Sequence, residues 1–167
     1  MSSSRCRSSR AKRCENPPRP ERHHCNLQRA VITKTGAGPQ VHHLDPEPAS
    51  VPEARRLACA VAESYLAEPE LRSFELAVTE VVSNAVRHGG HTGEPIRLAV
   101  TPKDGYMCVQ VTDAGPGLVP KPGALEAEDD GGFGLFIVEQ LTRRWGVTRE
   151  DDKTRVWFEL DFVSAPA

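Results

Sequence analysis

Apolar side chains recur at three- and four-residue steps in three stretches of this chain and at two-residue steps in four others. Ser50 and Glu53 have the spacing of a capping box, and Pro52 suits a first helical turn. Ala54, Leu57, Ala58, Val61 and Tyr65 then follow at helical intervals. A second helix is predicted over about 70–88, with Leu71, Phe74, Val78, Val81, Val82 and Ala85 as its buried stripe. Gly89 and Gly90 are its stop signal. Ile96, Leu98 and Val100 alternate as a strand, as do Met107, Val109 and Val111 after the turn at Lys103, Asp104 and Gly105. Residues 116–130 read as a long loop, and 132–144 as a third helix with Leu135, Val138 and Leu141 inward. Residues 147–149 and 155–162 close the chain as a hairpin, its last strand marked by Val156, Phe158, Leu160 and Phe162. The prediction is an α+β fold: a two-layer α/β sandwich with three helices on one face of a mixed, mostly antiparallel sheet.

Composition divides the chain. The 167 residues suffice for one ordinary domain, yet hydrophobic residues make up only 38%. The first 40 residues are rich in Arg, Ser, Pro and His, and their basic side chains far outnumber Glu15 and Glu21. Such a segment buries too little apolar surface to offset the entropy of ordering, so disorder is expected over 1–40. An inert extension is the simplest reading of it, and contact with an acidic partner or nucleic acid is the competing one. The ordered domain is expected over 41–163, and 164–167 as a frayed tail. Cys6, Cys14, His23, His24 and Cys25 lack the Cys-x2-Cys spacing of a compact zinc site.

A net charge of -2 argues against a dedicated nucleic-acid or anionic-membrane binder. No apolar run reaches the roughly 20 residues that span a bilayer, and the basic N-terminus has no apolar signal core. A cytoplasmic location is expected, with the five cysteines reduced.

Three separated motifs carry the candidate chemistry. Glu80 and Asn84 lie four residues apart, so they share a helical face turned away from the apolar stripe. A carboxamide oxygen is a hard neutral ligand suited to Mg²⁺, and a carboxylate beside it can deprotonate a water or hydroxyl. His88 continues that line by one turn, as a phosphoacceptor, a supporting group, or simply a histidine favoured by the helix dipole. Asp113 ends a strand and opens the run Asp-Ala-Gly-Pro-Gly, which includes Gly115 and Gly117. A strand-end carboxylate can accept a hydrogen bond from an exocyclic amine, and the glycines let backbone approach a flat ring. Gly131, Gly132 and Gly134 precede an apolar helix, whose free N–H groups suit phosphate. This is neither a P-loop nor a Rossmann turn: no Lys follows, and no strand leads into it. Trp145 and Trp157 read as packing residues.

In this order, the motifs resemble the Bergerat-fold ATPases, the superfamily of gyrase B, MutL and sensor histidine kinases. The residues that carry the resemblance are the run from Phe74 through Glu80 and Asn84 to His88, then Asp113 to Gly117, then Gly132 to Leu135. The short single-domain form most resembles anti-sigma factor serine/threonine kinases and actinobacterial ATP-binding regulators, over about 41–162. The resemblance implies ATP and Mg²⁺ as cofactors, with Asn84 on the metal and Glu80 as the catalytic general base. It implies Asp113 on the adenine amine, Gly115 and Gly117 as the adenine wall, and Thr154 near adenine. It also implies that Gly132 and Gly134 hold the phosphates beneath a lid at 116–130. The chain departs from the kinase pattern in its lid. Residues 125–130 are acidic, Phe133 occupies the middle of the second glycine motif, and Lys121 is the nearest lid cation.

The resemblance implies a kinase that phosphorylates an anti-sigma-factor antagonist and controls transcription by partner switching. The sigma factor or the antagonist would be its protein partner, and a homodimer its form, without direct nucleic-acid or membrane binding. The acidic lid motivates an alternative: a nucleotide-gated protein-binding module with little catalysis. A third reading is a detached histidine kinase ATPase domain, but no upstream helical hairpin bears a phosphoacceptor histidine.

Overall fold

The computed structural model describes residues 38–89, 92–115 and 133–161, with Phe133 described in its backbone only. Its elements are β1 (Gln40–Leu44), α1 (Ser50–Ala62), α2 (Glu68–Gly89), β2 (Ile96–Pro102), β3 (Tyr106–Asp113), α3 (Phe133–Leu141), β4 (Arg144–Glu150) and β5 (Lys153–Asp161). The strands form one sheet in the order β1-β2-β3-β5-β4, and every pairing among them is antiparallel. The three helices pack with the sheet around a single core, giving the expected α+β sandwich.

The core follows from the two periodicities. Phe74, Ala77, Val78, Val81, Val82 and Ala85 are buried along one stripe of α2. They meet Leu98 and Val100 of β2, Val109 and Val111 of β3, and Val156 and Phe158 of β5. Phe74 and Phe158, both fully buried, meet edge to face with ring centroids 6.1 Å apart. Acidic Glu68 and Glu70 open α2, and basic Arg87 and His88 close it, so its end charges complement the helix dipole. No described helix is long and apolar enough to cross a membrane.

The structure corrects several local expectations. Order is described from Gly38, and Gln40 already pairs with Val100, so an edge strand lies where no strand was predicted. Only Val41 and Leu44 are apolar in its five residues, too few to show an alternation. The capping box at Ser50 does not form. Ala49 is the N-cap, without a side-chain cap, and Ser50 is buried inside the helix. A turn feeds the helix instead, with the Ser50 N–H donating to the Glu47 carbonyl at 3.0 Å.

The helix predicted to reach residue 144 ends at Leu141. The Thr142 hydroxyl donates back to the Val138 carbonyl at 2.7 Å, and the Arg143 N–H already pairs with the Glu159 carbonyl at 2.9 Å. Arg144 then opens β4, its guanidinium gripping the buried Glu159 carboxylate at 2.7 and 2.8 Å. Both Trp readings hold as packing: Trp145 lies against the core, and the buried Trp157 indole covers Gly146. Residues 1–37 of the expected 1–40 tail with its cysteines and histidines, the expected frayed tail at 164–167, Gly90, and the loop 116–130 with Lys121 lie outside the described residues.

Candidate functional site

The site grows from the last three turns of α2. A step of four residues advances about 6 Å along a helix and turns only about 40°, so Glu80, Asn84 and His88 form a line of three polar groups. Tertiary packing sets their surroundings. Asn84 is only 6% exposed, and its Nδ2 has no hydrogen-bond partner among the described residues. The His88 Nε2, also buried, has none either. Glu80 is partly exposed, so its carboxylate remains within reach of solvent. Orphaned buried polar groups are uncommon in folded proteins, and two on one helix face call for an explanation.

The first turn of α3 closes over the start of this line. A Cβ built on Gly134 would lie 2.8 Å from the Glu80 Oε2, 3.4 Å from the Asn84 Nδ2 and 3.7 Å from its Oδ1. A carboxylate, a carboxamide and the N-terminal turn of a helix therefore meet at one point. Free N–H groups in that turn favour anions, as does the positive end of the helix dipole. Among the described residues no group of three His, Cys, Asp or Glu could hold a metal ion. A divalent cation here has to draw most of its ligands from phosphate oxygens and water, as Mg²⁺ commonly does. The hard oxygen donors of Asn84 and Glu80 fit that ion.

A second cluster lies at the other end of the line, where α2 finishes against the end of β3. Asp113 is the last residue of β3, pairs with Thr154 of β5 and is 5% exposed. Its Oδ1 accepts the Gly115 N–H at 2.8 Å, and its Oδ2 offers further acceptor capacity. The Thr154 hydroxyl donates to the Gly115 carbonyl at 3.3 Å, fixing the same turn from the neighbouring strand. Burial raises the pKa of Asp113 above the ordinary aspartate value, and the Gly115 N–H and nearby His88 pull it down without cancelling the effect.

Glycines make this junction possible. A Cβ on Gly89 would lie 2.7 Å from the Asp113 Cβ and 2.9 Å from its Oδ1. A Cβ on Gly115 would collide with the His88 carbonyl group. The structure thus brings Glu80, Asn84 and Gly134 together at one end and Asp113, Gly115 and Thr154 at the other. Gly117 and Gly132 lie outside the described residues. The sequence marks Gly89 only as a helix stop, and its packing against Asp113 is tertiary.

Comparison with known proteins identifies the domain. The chain is 35% identical over 98 residues to an uncharacterized protein of Streptomyces coelicolor, covering 54% of this chain and 92% of that protein. Its fold is similar to the solved RsbU and RsbW domains of a Mycobacterium tuberculosis protein, with a TM-score of 0.59 at 22% identity. That match covers 78% of this chain, which spans only 34% of the larger one. Residues 44–160 match the histidine kinase-like ATPase domain. Membership implies an ATP site and a kinase-like ATPase architecture. The chain belongs to the histidine kinase-like ATPase domain family.

Proposed function

We propose that this chain is an ATP- and Mg²⁺-binding regulator: a serine/threonine kinase that phosphorylates an anti-sigma-factor antagonist and so controls transcription by partner switching. The observation that carries the reading is the seating of Gly134 against the Glu80 carboxylate and the Asn84 carboxamide. It supports a reading in which Glu80 accepts the proton, Asn84 holds the metal and the start of α3 binds phosphate. The other cluster supports adenine, with the Asp113 Oδ2 accepting from the exocyclic amine and Gly115 and Thr154 shaping the wall beside it.

In the reaction, a substrate hydroxyl oxygen attacks the γ-phosphorus, its proton passes to Glu80, and ADP leaves with the electrons of the broken bond. Asn84 Oδ1 would hold Mg²⁺, which neutralises charge on the phosphates when bound. The partly exposed Glu80 is open to a hydroxyl brought by a second protein. On this reading the ATPase unit spans 41–163 and acts in the cytoplasm as a homodimer. Gly117 and Gly132 complete the adenine wall and the phosphate cradle.

The acidic run at 125–130 favours a second reading, in which ATP chiefly orders a protein-binding surface and little phosphate is transferred. One experiment separates the two. Wild type and Glu80→Gln are titrated with ATP and Mg²⁺ by calorimetry, then incubated with ATP and the antagonist protein. ATP binding by both, with phosphoserine or phosphothreonine formed only by wild type, supports the kinase. Binding by both with no transfer by either removes the kinase reading and leaves nucleotide-gated binding.

A further inference from the structure

We propose that the face of the sheet turned away from the helices is a docking surface for a segment of this chain that precedes β1, centred on the apolar run from Leu27 to Ile32.

One register row crosses the whole sheet: Val41 of β1, Ala99 of β2, Gln110 of β3, Trp157 of β5 and Gly146 of β4. Side chains alternate along a strand, so this row points away from Leu98, Val100, Val109, Val111, Val156 and Phe158, which meet the helices. Thr101, Cys108 and Glu159 form the next row on one side, and Arg97, Thr112 and Arg155 the next on the other.

An antiparallel sheet with helices on one side ordinarily presents a solvated second face. This one does not. Ala99 is 1% exposed, Gln110 3% and Trp157 6%, and Thr101 and Cys108 are buried beside them. The helix-side core includes none of these five residues. Arg143 and Arg144 explain the burial of Glu159. They do not explain Gln110 and Ala99, which lie two and three strands away from β4. A single chain suffices to exclude water from this face, so the cover comes from the same chain.

The polar atoms of the face agree. Gln110 Oε1, Thr112 Oγ1 and Arg155 Nε are buried with no hydrogen-bond partner among the described residues. They ask for donors and acceptors together. A peptide segment carries both along its backbone.

The chain ahead of β1 is placed to supply that segment. Gln40 pairs with Val100, so the chain enters β1 level with Thr101, beside the buried rows. Ile32 precedes Gly38 by six positions, roughly 20 Å of extended chain. The path from β1 to β5 is three strand steps, roughly 14 Å. Within that reach Leu27, Ala30, Val31 and Ile32 are the apolar run of a segment otherwise rich in Arg, Ser, Pro and His. They suit the Trp157 indole and the Ala99 methyl. With the segment in place, a second protein can use this face only by displacing it.

The test is hydroxyl-radical footprinting with mass spectrometry, on the full chain as wild type and as Leu27→Asp/Val31→Asp/Ile32→Asp. Trp145 and Trp157 lie on separate tryptic peptides, so each is read alone. In wild type Trp157 should be oxidised more slowly than the half-buried Trp145. In the variant the Trp157 rate should rise at least to that of Trp145, whose own rate should stay the same. Equal protection of Trp157 in both proteins overturns the proposal and moves the cover to another segment, such as 162–167. An unprotected Trp157 in wild type overturns it too. So does protection lost on dilution, which would assign the face to a second copy. Should the variant fail to fold, a photoreactive benzophenone amino acid in place of Val31 decides. Cross-links within one chain to the peptides of Cys108, Gln110 or Trp157 support the proposal, and the absence of such cross-links overturns it.

Discussion

The carbonyl group of His88 packs so closely on Gly115 that no side chain fits between the end of α2 and the turn after β3. Both contacting groups are backbone, so neither yields by rotating a bond. Gly115→Ala therefore has to separate the helix end from the strand end. By analogy with overpacked interiors, the cost is about 2 kcal/mol. Urea unfolding of the nucleotide-free protein should show it as a lower midpoint at unchanged slope. Gly134→Ala is the matched control. Its nearest obstacle is the Glu80 carboxylate, the far end of a flexible side chain, so its stability should change much less. Equal losses in both variants would mean that the junction is softer than its geometry implies.

Asp113 makes opposite pH predictions for the empty and the occupied site. Burial raises its folded pKa above the unfolded value, so the folded state binds the proton more tightly. The cost of keeping this carboxylate ionised is fully present above the folded pKa, and it disappears as pH falls through that value. The empty protein should therefore gain stability from this group on acidification, whereas ATP affinity should fall because a neutral acid is a weaker acceptor for the amine than a carboxylate. Asp113→Asn should remove both trends. Its Oδ1 can keep the Gly115 N–H, which turns Nδ2 toward the base. A donor there opposes the amine of adenine and suits the carbonyl of guanine. Thermal shifts with ATP and GTP should show the first lost and the second gained. A variant that still prefers ATP would place the base elsewhere.

The helices and the central strands were legible because their apolar positions obey one period over many residues. The stripe from Phe74 to Ala85 fixes the face of α2, and Met107, Val109 and Val111 fix the face of β3. β1 was hidden because two apolar residues in five make no pattern. The early end of α3 was hidden because Arg144 and Trp145 suit a helix as well as a strand. Glu159, fifteen residues away, decides between them by pairing with Arg144. The β4-β5 hairpin was legible at 147–149 and 155–162, but its full pairing from Arg144 and Glu159 to Glu150 and Lys153 was hidden by its turn residues. Asp151 and Asp152 adopt φ values of 50° and 61° where Asn-Gly would be the usual signal. At the site, spacing along one helix aligned Glu80 and Asn84. The contact of Gly134 with both is tertiary and has no local signature.

Phe74 and Phe158 tie the helix that carries Glu80 and Asn84 to the strand that carries Thr154. Phe74→Ala should cost about 3–5 kcal/mol, a large share of the stability of an ordinary domain. Phe74→Leu keeps most of the volume and should cost less than half of that. If the cluster also positions the site, the leucine variant should remain folded and yet bind ATP more weakly. Denaturant midpoints and ATP titrations on the same two proteins separate the effects, and unchanged ATP affinity in the leucine variant would confine the pair to stability.

Asn84 gives the sharpest contrast between a ligand-binding and a structural role. A buried amide that held the fold together would be hydrogen-bonded, and its loss would destabilise the empty protein. The Asn84 Nδ2 has no partner among the described residues, and an unmet group of this kind costs about 1–3 kcal/mol. Asn84→Ala removes that cost but leaves a small void. The nucleotide-free variant should therefore unfold at the same denaturant concentration as wild type or slightly higher. With ATP and Mg²⁺ the order should reverse, because ligand binding stabilises only the protein that retains the metal ligand. At ligand a hundredfold above its dissociation constant, the wild-type gain is about 2.7 kcal/mol. Unfolding curves for both proteins, with and without ATP and Mg²⁺, give all four values. A clear loss of stability in the empty variant would make Asn84 a structural residue, and an undiminished ATP gain in the variant would move the metal to other ligands.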